Sequence, residues 1–78
     1  MNEAKVKARM GRAIKIMRET AGMTQQQLAD GMNTTQSSVA RLEAGGRWPS
    51  STMVARILDA TGISGVSLAM GIAEREID

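Results

Sequence analysis

Between Thr24 and Gly45 the chain reads TQQQLADGMNTTQSSVARLEAG, a spacing that fits two short helices joined by a tight turn. Thr24 with Gln27 three residues on forms a capping box, in which each side chain satisfies an orphan backbone N–H, so a helix begins near Gln25. Leu28, Ala29 and Met32 share its apolar face, and the small Ala29 lets a second helix cross close to the backbone at a steep angle. Asn33 turns the chain, because Asn tolerates the left-handed conformation better than any residue but Gly. Thr35 caps the next helix, from Gln36 to Ala44, with Val39 and Leu42 inward and Gln36, Ser37, Ala40 and Arg41 outside. Gly45 ends it.

The flanks continue the helical pattern. Val6, Met10, Ile14, Met17 and Ala21 recur on one face of a first helix from about Glu3 to Ala21, which Gly22 stops. The opposite face carries Lys5, Arg9 and Arg12, a stripe open to phosphate contact or to plain solvation. A fourth helix follows Trp48 and Pro49, with Ser50 as cap, Met53, Val54, Ile57 and Leu58 as its buried stripe, and Gly62 as its stop. The seven methionines are expected to fill the core rather than form a binding surface.

From Gly65 to Ala73 the period changes to strict alternation, with Val66, Leu68, Met70 and Ile72 on one side. That is a strand's pattern, and Gly65 and Gly71 would cost a helix roughly 1 kcal/mol each. A fifth helix stays open as the alternative. A lone strand among helices has an open edge, and the same strand from a second copy would close it as an antiparallel ribbon across a twofold axis. The expected organisation is a helical domain over 1–64 and a dimerisation tail over 65–78, in which Val66, Leu68, Met70 and Ile72 make the contact.

Seventy-eight residues make one domain with a marginal core, which also favours a homodimer. With no Cys and no His, disulfides, thiol nucleophiles, histidine bases and most zinc sites are excluded, and no cofactor, metal or enzymatic activity is expected. The longest apolar runs are three residues, so no membrane span or signal peptide is expected and the chain reads as cytoplasmic. The net charge of +2 hides an asymmetry: residues 1–56 carry nine Lys and Arg against four acids, and residues 57–78 carry one against four. A basic front suits a surface that meets phosphates.

In IKIMRETAGMTQQQLA, TTQSSVARLEAG and RWPSSTMVARILDATG, spanning roughly Ile14 to Ile63, the chain resembles the Xre family of helix-turn-helix regulators. That family includes lambdoid-phage repressors and Cro proteins, HigA-type and HipB-type antitoxins, and restriction-modification controller proteins. The resemblance implies an all-α, lambda-repressor-like DNA-binding domain of four to five helices, and a transcriptional regulator that binds double-stranded DNA. Asn33 departs from the pattern, since Gly is commoner at the turn, and so does the tail, which is more like the dimerising strand of HipB-type antitoxins. A cognate toxin protein is therefore a possible partner, and a regulator without one is the alternative. Family members with Arg and Glu at the places of Arg18 and Glu43 pair them between the first helix and the recognition helix. The family also commonly grips a phosphate at the place of Arg47.

Affinity for DNA comes mainly from neutralised phosphates, and sequence choice from base edges. At the start of the recognition helix, Gln36 is placed to pair with adenine N6 and N7, which a carboxamide matches in donor and acceptor. Ser37, Thr35 and Arg41 are the further base-contact candidates, with Arg41 equally able to reach guanine or the backbone. Gln25 and Thr24, at the amino end of the preceding helix, are expected on a phosphate with the backbone N–H groups there. Arg47, Arg9 and Arg12 complete the phosphate set. Trp48 fits a cover over the fourth helix.

Overall fold

The computed structural model describes residues 2–63. Four helices follow one another: α1 Glu3–Thr20, α2 Gln25–Gly31, α3 Gln36–Glu43 and α4 Ser51–Thr61. Each starts at a side-chain cap, which is why short helices hold such sharp limits. The Asn2 side chain accepts from the Lys5 N–H at 2.8 Å, Thr35 from Ser38 at 3.2 Å and Ser50 from Met53 at 3.1 Å. At Thr24 the box is reciprocal: the Gln27 N–H donates to Thr24 Oγ1 at 3.1 Å, and the Thr24 N–H donates to Gln27 Oε1 at 2.8 Å. Asn33 takes φ +58° in the turn between α2 and α3, the left-handed region its short polar side chain tolerates.

Ile14 and Met17 of α1, Leu28 and Ala29 of α2, Met32 just after it, Val39 and Leu42 of α3, and Ile57 of α4 form one buried cluster. Met23, Met53, Leu58, Ala60 and Ile63 pack around its edge. Ala29 is fully buried, as a close crossing of α2 and α3 requires.

Three expected positions differ. Periodicity puts Ala21 on the inner face of the first helix, yet it lies one residue past α1 as its cap and is exposed. Ala44 likewise caps α3 rather than belonging to it. Val54 is 36% exposed, because α4 presents a single buried residue, Ile57, to the centre and turns Val54 toward the rim. The rim there is an apolar furrow between α1 and α4, bordered by Met10, Met17, Pro49, Val54 and Leu58. The alternating segment and its contact residues Val66, Leu68, Met70 and Ile72 lie outside the described residues.

Gly11, in the middle of α1, is the position periodicity does not explain. A Cβ there would stand 2.5 Å from the Leu42 carbonyl oxygen and 2.6 Å from that of Glu43. Glycine costs a helix interior roughly 1 kcal/mol, and here it admits the carboxyl end of α3 against the α1 backbone. Gly45, at φ +76°, continues the contact: its Cβ would lie 2.9 Å from Ala8 Cα.

Candidate nucleic-acid interface

Packing α3 by Val39 and Leu42 leaves its other face outward. Thr35, Gln36, Ser37 and Arg41 are all exposed, and Ala40 is half-buried. With these side chains the face offers amide, hydroxyl and guanidinium groups, the donors and acceptors that base edges in the major groove require.

Behind this face lies an ion pair. Arg18 of α1 donates from Nε to Glu43 Oε2 at 2.6 Å and from Nη2 to Glu43 Oε1 at 3.0 Å, a bidentate fork. Its Nη1 donates to the Met23 carbonyl at 2.9 Å. The side chains are 12% and 4% exposed, so the pair is largely withdrawn from water. The hydrogen bonds to Glu43 outweigh the burial and raise Arg18 above the ordinary arginine range, so the guanidinium stays charged.

The pair does not stop at α3. Gln25, the first residue of α2, donates from Nε2 to Glu43 Oε1 at 3.1 Å, and Gln36 donates from Nε2 to Gln25 Oε1 at 2.7 Å. Arg18, Glu43, Gln25 and Gln36 thus form one chain of hydrogen bonds from α1 to the outward face. Sequence pattern puts Gln25 on a phosphate and Gln36 on a base as separate tasks; the structure ties the two side chains together.

The cations expected on phosphate fall in two places. Arg47 donates from Nη1 to Ser38 Oγ at 3.3 Å, which draws the loop after α3 alongside its first turn. Lys5, Arg9 and Arg12 line a furrow of about 600 Å³ with Ala8, Glu43 and Ala44, at the opposite end of α3 from Gln36. Thr24 and Thr35 have their hydroxyls engaged as caps. Trp48 is 41% exposed and its indole N–H donates to Glu3 Oε1 at 3.0 Å, which ties it to the start of α1.

Sequence pattern missed Gly11, Ser38 and the link between Gln25 and Glu43. An isolated glycine inside a helical period is the one available signal, since it marks a close backbone approach. The other two are contacts across 9 and 18 residues with no local signature.

A tight turn joining two helices, the second packed by one face and polar on the other, defines a helix-turn-helix DNA-binding domain. Residues 14–68 match the model of a helix-turn-helix family, HTH_3, and the chain belongs to that family. It is an Xre-type DNA-binding transcriptional regulator. Two solved structures share the fold. The clp gene regulator ClgR from C. glutamicum is 24% identical, with a TM-score of 0.78 over 90% of this chain and 91% of that one. A point mutant of the restriction-modification controller protein C.Esp1396I is 20% identical, with a TM-score of 0.82 over 94% of this chain and 92% of that one. Among curated proteins, none matches the chain.

Proposed function

We propose that the chain is a dimeric repressor that sets α3 into the major groove at each half of a palindromic operator. The observation that carries this reading is the exposure of Gln36 at the leading end of α3 while Val39 and Leu42 bury the opposite face. Gln36 meets adenine, Ser37, Thr35 and Arg41 meet neighbouring base edges, and Gln25, Thr24, Arg47, Arg9 and Arg12 sit over phosphates. Two copies place their recognition helices about 34 Å apart, one turn of duplex. Self-association is assigned to residues 65–78 through Val66, Leu68, Met70 and Ile72, and the apolar furrow between α1 and the first turns of α4 supplies further surface. Among the described residues no helix is long and apolar enough to cross a membrane.

Selection of bound duplexes from a random pool tests the reading. Gln36→Ala relaxes preference at one symmetric pair of positions, by about 1–3 kcal/mol against the wrong base, whereas Arg47→Ala weakens every site alike. Identical profiles from the two variants would refute it. An autoregulating antitoxin is the form of this function in which a toxin also binds the chain. Copurification of a small basic protein in fixed ratio supports that form, and its absence leaves a regulator acting alone.

A further inference from the structure

We infer that Glu43 is a specificity-determining positioning residue: acting through Gln25, it fixes which end of the Gln36 carboxamide faces the groove, and so favours adenine over guanine. The inference rests on the reading above, in which Gln36 meets a purine edge. A carboxylate can only accept hydrogen bonds. Glu43 Oε2 takes one from Arg18, and Oε1 takes one from Arg18 and one from Gln25. The Gln25 carboxamide must therefore turn its N–H group inward and its oxygen outward; the reverse would press two acceptors together in a site nearly closed to water.

That orientation propagates. The outward oxygen of Gln25 takes an N–H from Gln36, which commits one Gln36 proton and leaves one N–H and the Oε1 lone pairs for the groove. Adenine presents an N6 donor beside an N7 acceptor and matches this pair, whereas guanine presents two acceptors, O6 and N7, one of which would face Gln36 Oε1. A Gln36 turned end for end would offer N–H groups alone and suit guanine, but it would need a donor from Gln25, which the ion pair forbids. Arg18 stands behind the arrangement: two of its N–H groups hold the Glu43 carboxylate, and a third, on the Met23 carbonyl, holds the guanidinium itself.

The test measures affinity of the full chain for duplexes that differ only in A·T or G·C at the position Gln36→Ala relaxes. Glu43→Gln keeps the shape of the side chain but can donate as well as accept, so both orientations of Gln25 open and the adenine-to-guanine ratio falls about tenfold. Adding Gln25→Glu to that variant restores an acceptor toward Gln36; the ratio recovers, while every duplex is bound more weakly because a negative charge now faces phosphate. Gln25→Met leaves the ion pair whole, guards against a folding defect in Glu43→Gln, and lowers the same ratio. A purely structural role for Glu43 would move melting temperature but not a ratio at one base pair. An unchanged ratio in both Glu43→Gln and Gln25→Met, with Gln36→Ala still relaxing the position, overturns the relay alone. A wild-type chain without adenine preference there overturns the relay together with the reading beneath it.

Discussion

At its carboxyl end α3 meets α1 backbone to backbone, with Gly11 and Gly45 removing the side chains that would hold the two apart; at its amino end it is tied back by side-chain hydrogen bonds running through Gln25. The first contact is rigid because carbonyl oxygens and Cα atoms have no rotamers to yield. The second depends on four side chains sharing one pattern of donors and acceptors. Placing a recognition helix and setting what it reads are therefore separate problems. Close packing fixes the depth and tilt of α3, while a polar network fixes the chemistry shown at its tip. Glu43 serves both, since its backbone carbonyl lies against Gly11 and its carboxylate opens the network.

That dual position sets the largest expected effect. Glu43→Ala leaves the Arg18 charge without its partner in a site 12% exposed, and should cost about 3–5 kcal/mol in urea unfolding. A melting curve equal to wild type would show that the ion pair is not what joins the two ends. Gly11→Val attacks the packed end alone. Its Cβ would already strike the Leu42 and Glu43 carbonyls, and a loss of about 1–3 kcal/mol is expected, with DNA affinity falling as α3 is levered outward. Thr35→Ala attacks the leading end alone: it removes the cap on Ser38 and should cost about 1 kcal/mol. Amide exchange sharpens this case, since faster exchange at Ser38 with unchanged exchange at Leu42 shows that the ends yield independently. Arg12→Ala is the mildest change. It should leave unfolding untouched and lower the slope of log affinity against log salt by about 1, and an equal slope would assign the stripe of Lys5, Arg9 and Arg12 to solvated surface.

The parts of the fold that were legible in the sequence are those written within four residues. Thr24 with Gln27, Thr35 and Ser50 mark three helix starts because a cap is a local bond, and Asn33 and Gly45 mark turns because a positive φ restricts residue type locally. Ala21 differs because α1 stops one residue short of it, and Val54 because periodicity gives the face of a helix but not how far a neighbour covers it. Within the site, the outward set Gln36, Ser37 and Arg41 follows from the inward Val39 and Leu42. The contact of Arg18 with Glu43 spans 25 residues, and only the family resemblance suggested it. The step from Glu43 to Gln25 to Gln36 had no sequence signal at all, since glutamine is equally at home on any helix surface.

Trp48 is the single aromatic residue of the chain, and its indole is anchored on Glu3 in the loop that carries Arg47. All intrinsic fluorescence excited near 295 nm, roughly the red edge where only indole absorbs, therefore originates from one ring beside a proposed phosphate contact. Partial exposure leaves that emission sensitive to docking, so the protein carries its own optical titration signal and operator binding can be followed without a label.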